Sequence, residues 1–265
     1  MASDVKIDPM HQFTVEKIVP LHLGPYDVSF TNSAMYMTIA LILIIGFVAF
    51  GMKRELVPGR WQMAVEGLAG FIDNMIDTNI GPQGKRFAPY IFSLFVFILV
   101  ANLLGMMPLA IIPGLHPFTS TSHFSVTGVL AVLSFSIVLI VGFRTHGLRF
   151  FSLFLPHGTP WYMVPLIVPI ELISFMVRPF SLALRLFVAM IAGHILMEVF
   201  GNFIVASGNS FAADPSSGAM SLLVMVVSFL FIVFVVALEL LMCVIQAYVF
   251  ALLTTLYLND AVNLH

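Results

Sequence analysis

From residue 219 to residue 258 the chain runs for 40 residues without a glycine or a proline, and most of them are apolar. A hairpin of two membrane spans needs turn chemistry near its middle, and this stretch has none. One continuous helix would be about 60 Å long, roughly twice the hydrocarbon thickness of a bilayer. Such a helix must tilt steeply, by about 60° from the membrane normal, or project well beyond the bilayer. The rest of the chain agrees with a membrane setting. It is 60% hydrophobic and only 9% charged, with a mean hydropathy of +1.05. Soluble domains are about one quarter charged, so this chain lacks the polar groups to cover a globular surface. It reads as an all-α integral membrane protein.

The other segments follow from the length needed to cross a bilayer, about 20 apolar residues. Residues 32–52, 88–107 and 125–143 each qualify. Residues 61–80 carry Glu66, Asp73 and Asp77 among their apolar side chains, which fits an amphipathic helix lying at the interface. Residues 162–205 form a second overlong segment, interrupted by Pro165, Pro169 and Pro179. A polar connection joins it to 219–258, and the two read as an antiparallel pair of long, strongly tilted helices. The expected architecture is one membrane domain, 32–265, with five crossing helices and one interfacial helix, preceded by an arm, 1–31. The arm is mixed and polar, with no basic stretch ahead of the first apolar segment, so it does not resemble a signal peptide.

Charge sets the orientation. Lys53, Arg54, Arg60, Lys85, Arg86, Arg144 and Arg149 all fall on one side of this layout, and only Lys6 and Lys17 on the other. The first side is therefore the inner one, with the C-terminus. The arm and the connection at 205–218 face outward. A net charge of −2 argues against nucleic-acid binding. The single cysteine, Cys243, excludes a disulfide framework and a thiolate metal cluster, and no glycine-rich phosphate loop is present. No cofactor is expected.

Against this apolar background the polar residues of the last two segments stand out. Glu171, Arg178 and Arg185 are spaced seven residues apart, which puts them within about 40° of one another on a helix. His194 points to about the opposite face and lies about 13 Å further along. Glu198 follows it. In the last segment Glu239 and Gln246 share a face, with Tyr257 aligned further on. Ser181, Ala183 and Ala192 are small enough to let another helix approach closely. His116, His123, His146 and His157 fall in loops and read as unremarkable.

Two readings of these groups stand side by side. They can be structural glue, with glutamates paired to arginines and side chains near the helix ends reaching the interface; Glu198 fits that description. Alternatively they form a proton route. Arginine does not give up its proton, so Arg185 is a fixed positive charge. Histidine and glutamate can relay protons. Glu171 lies on the inner side of Arg185, and His194 and Glu198 on the outer side. A permanent cation between two titratable patches opposes direct crossing, which is the electrostatics of two half-channels with a barrier between them. A voltage sensor fits less well, since its arginines recur every three residues.

These residues carry a resemblance. "PIELISFMVRPFSLALRLFVAMIAGHI" resembles the fifth helix of subunit a of F-type ATP synthases, and "LELLMCVIQAYVFALLTTLYLND" is similar to its sixth. "FVFILVANLLGMMP" resembles the third. The "AGH" with a later glutamate looks like the mitochondrial and alpha-proteobacterial branch. The resemblance implies a non-catalytic, proton-translocating stator subunit with two long helices lying against a rotating ring of c subunits. It assigns Arg185 as the arginine facing the ring carboxylate, His194 and Glu239 to the outer half-channel, Gln246 to the neighbourhood of the arginine, and Glu171 to the inner exit. Asn102, Arg178 and Glu198 are possible polar lining groups. The family often has asparagine four residues after the arginine, where this chain has Ala189, so no role passes to that position. A simple hairpin register also sets Glu239, rather than Gln246, level with Arg185.

The partners implied are the c ring, peripheral-stalk b subunits, the F1 catalytic sector through the complex, and the lipid bilayer. Protons are the implied coupling ion. A bacterial inner membrane is the expected location, with the mitochondrial inner membrane as the alternative. The competing function is a self-contained ion channel or secondary transporter using the same charges. It would be active without a ring, but no internal repeat is visible and the last segment is unbroken.

Overall fold

The computed structural model describes residues 17–20, 22–23, 26–27, 29–52, 58–107, 119–147, 150–151, 161–213 and 218–263. Lys6, Lys53, Arg54, Arg149, His116 and His157 lie outside the described residues. Part of the arm forms two short antiparallel ladders. Strand β1 (Lys17–Val19) pairs with β4 (Phe30–Thr31), and β2 (His22–Leu23) pairs with β3 (Tyr26–Asp27). The remaining elements are helical.

Helix α1 (Asn32–Gly51) starts where the Thr31 side chain accepts a hydrogen bond from the Ala34 amide, a standard N-cap. Only Ser33, Tyr36, Ala40 and Gly51 of α1 are buried, and Leu41, Ile42, Ile45 and Phe50 face outward. Helix α2 (Arg60–Asn79) is the amphipathic one. Its Ile72, Met75 and Ile76 are buried against α3 (Ala88–Met106), while Glu66, Asp73 and Asp77 look away from the core. Phe71 of α2 meets Phe95 of α3 and Tyr248 of the last helix. Helix α3 is the most enclosed element, with Ile91, Leu94, Phe95, Ile98, Ala101 and Leu104 all buried. Helix α4 (Phe124–His146) is tied to it by a hydrogen bond between Tyr90 and Ser134 at 2.8 Å.

The two long helices are α5 (Val164–Ala213), of 50 residues, and α6 (Gly218–Val262), of 45 residues. At 1.5 Å per residue they are about 75 and 68 Å long. Pro169 and Pro179 remain inside α5, and each removes one ladder bond without ending the helix. Helix α5 also continues into the stretch expected to be a polar connection. Among the described residues, five helices are long and apolar enough to cross a membrane.

Arg86 and Arg144 line a common cavity. His146, at the end of α4, is hydrogen-bonded through Nε2 to the carbonyl of Val262 at 2.9 Å, so α6 ends there too. Packing density differs along α6. Its second half buries Cys243, Ala247, Phe250, Ala251 and Leu258, whereas its first half exposes Leu222, Leu223, Val226, Phe229 and Leu230.

Candidate functional site

The antiparallel contact of α5 and α6 positions most of the polar side chains, and three contacts fix its register. Phe200 stacks on Phe231 with ring centroids 5.2 Å apart. Glu239 lies against Gly193, where an added methyl would come within 2.8 Å of the carboxyl carbon. Arg178 sits over the Tyr257 ring at 5.2 Å. Between the last two pairs, Arg185 falls opposite the stretch just after Gln246. The simple register that set Glu239 level with Arg185 is therefore corrected: Glu239 is level with Gly193 and His194.

Two arginines that look equivalent by spacing have different surroundings. Arg178 donates from Nη1 to Asp260 Oδ2 at 2.8 Å and also packs over Phe175, with its guanidinium 5.6 Å from the ring centroid. It ties the start of α5 to the end of α6. Arg185 is exposed and has no hydrogen bond or ion pair to any described residue. It stands on an outward face with Val177, Phe180, Ser181, Val188, Ala192 and Leu196. Tyr257 is within electrostatic reach of both arginines. Glu171, about two turns before Arg178, is half-exposed with no ion pair among the described residues.

On the far side of Arg185 a second cluster is enclosed. His194 and Glu239 are 7% and 3% exposed, and His194 Nε2 lies 3.5 Å from Glu239 Oε1. Among the described residues, neither carboxylate oxygen of Glu239 has a hydrogen-bond partner. A carboxylate enclosed in this way demands a proton, a water or a cation. Thr119 Oγ1 is hydrogen-bonded to the same His194 Nε2 at 2.5 Å. Asn102, fully buried on α3, donates to the Cys243 carbonyl and accepts from the Thr121 hydroxyl at 2.8 Å. Glu198 is half-buried one turn beyond His194. Gln246 is buried on α6. Among the described residues no three histidine, cysteine or acidic side chains gather as metal ligands.

Among the described residues, the molecule thus carries a cation without an ion pair on its apolar exterior, with a half-exposed acid to one side along α5 and an enclosed histidine–glutamate pair to the other. A family model described as ATP synthase A chain matches residues 34–259, which spans all of this geometry. The chain belongs to the ATP synthase A chain family.

Relatives within this family match it end to end. A protein named ATP synthase subunit a from Novosphingobium aromaticivorans is 60% identical over 263 residues, covering 98% of each chain. One of the same name from Zymomonas mobilis is 57% identical over 266 residues, covering 100% of each. Another from Mesorhizobium japonicum is 47% identical over 264 residues, covering 99% of each.

Sequence reasoning missed two participants. Asp260 was overlooked because its partner Arg178 is 82 positions away. The Thr119 to Ser122 stretch carries no role in the sequence reading, yet all four residues are buried. Four consecutive hydroxyl residues between two apolar spans were the available signal.

Proposed function

We propose that this chain is the stator subunit of a rotary ATP synthase, offering two offset proton half-channels to a carboxylate on a ring of c subunits. The observation that carries the reading is Arg185. It is exposed on an apolar face far from both ends of α5, and no carboxylate of its own chain meets it among the described residues, although Arg178 is matched by Asp260. A charge at the centre of a bilayer costs at least ~2.5–3.5 kcal/mol. A counter-charge on a partner removes that cost.

Protons enter from the outer side through His194 and Glu239, with Asn102 and Glu198 lining the approach. They neutralise a ring carboxylate that has moved off Arg185. The neutral acid travels through lipid far more cheaply than the anion. After nearly a full turn it reaches the inner half-channel, where Glu171 receives the proton. The restored carboxylate is drawn to Arg185, passes it and begins again. Gln246, near the level of Arg185, supplies a polar group beside the passing carboxylate. Arg178 holds α5 and α6 together. At ~2.3 kcal/mol per charge per 100 mV, several protons drive each synthesis step.

The subunit is non-catalytic and works within an ATP synthase complex, against the c ring and peripheral-stalk b subunits and beneath the F1 sector. Its residues 32–265 form one membrane domain, and 1–31 an outward-facing arm. The bacterial sources of the relatives support a bacterial inner membrane.

The test is ATP-driven proton pumping in inverted vesicles, with assembly of the complex checked for each variant. Arg185→Ala is expected to assemble and abolish pumping. Arg178→Ala, which loses an ion pair rather than the barrier, should retain partial pumping where assembled. Normal pumping by Arg185→Ala would return the polar groups to a structural role.

A further inference from the structure

Four hydroxyl side chains enter the protein between α3 and α4. Thr119, Ser120, Thr121 and Ser122 are each no more than 4% exposed, and residues Ser120–Ser122 form a single 3-10 turn. The turn is held from within, since Ser122 Oγ donates to the Thr119 carbonyl at 2.6 Å. It is held from outside by Thr121, whose hydroxyl donates to Asn102. Its first member is seated on Gly105 of α3: a methyl there would overlap the Thr119 hydroxyl and its methyl group. The seat aims Thr119 Oγ1 at His194 Nε2.

We infer that Thr119 is a positioning residue for the outer proton relay, holding the His194 ring so that Nε2 lies between a hydroxyl and the Glu239 carboxylate. The inference rests on the half-channel reading of His194 and Glu239. A hydroxyl is suited to this task because it both donates and accepts. When His194 is neutral with Nε2 bare, the Thr119 hydroxyl donates to Nε2. When the ring is protonated at both nitrogens, Nε2–H is shared between Thr119 Oγ1 and Glu239 Oε1. The Nε2 proton then passes to Glu239, the N–H bond breaking as the O–H bond forms. The ring returns to its neutral form with Nδ1 keeping its own proton, and the hydroxyl again donates to Nε2. A neighbour able only to accept would stabilise one of these states and leave the other without its hydrogen bond.

Titratable and polar groups near this contact lie on α3, α5 and α6. Glu239, and Cys243 one turn away, approach from α6. Asn102 acts from α3 through Thr121, and Glu198 follows on α5 itself. Of these, Thr119 and Glu239 meet at the same nitrogen.

Thr119→Val keeps the side-chain shape and removes the hydroxyl, whereas Thr119→Ser keeps the hydroxyl. ATP-driven pumping in inverted vesicles is measured against pH for the intact complex, alongside His194→Ala. Thr119→Val is expected to assemble, to pump about tenfold more slowly, the order of one lost hydrogen bond to a charged group, and to move the pH midpoint of pumping. Thr119→Ser is expected to restore both. Gly105→Ala, which displaces Thr119 without touching His194, should reproduce the valine variant. In a His194→Ala background the valine change should add nothing. Wild-type rate and midpoint in Thr119→Val, or failure of the assembled serine variant to restore them, overturns the inference while leaving the half-channel reading intact. Normal pumping by His194→Ala overturns both.

Discussion

A methyl group at position 193 would sit 2.8 Å from both the carboxyl carbon and Oε1 of Glu239. Glycine inside a helix costs roughly 0.5–1 kcal/mol relative to alanine, so packing rather than propensity accounts for Gly193. The two effects of Gly193→Ala should therefore separate. The helix gains propensity, while Glu239 is forced away from His194. The complex is expected to assemble with its thermal midpoint unchanged or raised, and to pump protons about a hundredfold more slowly, the order of misplacing a reacting group by about 1 Å. Unchanged pumping would mean that the separation of His194 and Glu239 is unimportant. At this scale the sequence revealed which residues were out of place in lipid, because an ionisable group in an apolar run is conspicuous. It did not reveal their partners. Arg178 and Arg185 share spacing and setting, and only the fold separates the one matched by Asp260 from the one that has no ion pair among the described residues.

The lengths of α5 and α6 were legible because few residues can end a helix and the second of these segments has none of them. Their register was not, because it depends on where the connecting turn is centred. With the turn centred between residues 205 and 219, Arg185 faces Glu239. With helix continuing to Ala213 and resuming at Gly218, Arg185 falls level with the stretch just after Gln246. Nothing in "NFIVASGN" separates polar loop from exposed helix end, since serine, asparagine and glycine are tolerated in both. The register also decides that Arg178 meets Asp260, the one ion pair between the described residues of these two helices whose charge does not depend on protonating a histidine. Asp260→Asn should lower the thermal midpoint of the detergent-solubilised complex by an amount equivalent to about 0.5–1 kcal/mol, the value of a partly exposed pair. In a double-mutant cycle with Arg178→Gln, most of that loss should be shared between the two changes. Full additivity would show that the contact contributes nothing to the α5–α6 junction.

For the molecule as a whole, composition was enough to place it in a membrane, but not to say which parts of its apolar exterior meet lipid and which meet protein. Leu222, Leu230, Val233, Phe234 and Leu241 of α6 are exposed, as are the outward residues of α1 and α4. Lipid can cover all of these at no electrostatic cost. The stripe of α5 running through Ser181, Arg185, Val188 and Ala192 is different, because it contains a cation and is built from smaller side chains that allow close approach. A helix carrying an acid fits this surface better than acyl chains do. Disulfide cross-linking can distinguish the two coverings. Cys243 is the single cysteine of the chain and is fully buried, so it contributes little background. A cysteine beside the ring carboxylate should cross-link to cysteines introduced at Ser181 and Val188, which are exposed on the stripe. It should not cross-link to cysteines at Leu182 or Met190, which are 3% and 0% exposed and face the other way. Disulfide geometry makes the contrast sharp, because the bond forms only when the Cα atoms come within about 7 Å. Equal yields at all four positions, or none at the exposed pair, would mean that the ring does not ride on this face, and that Arg185 finds its counter-charge elsewhere.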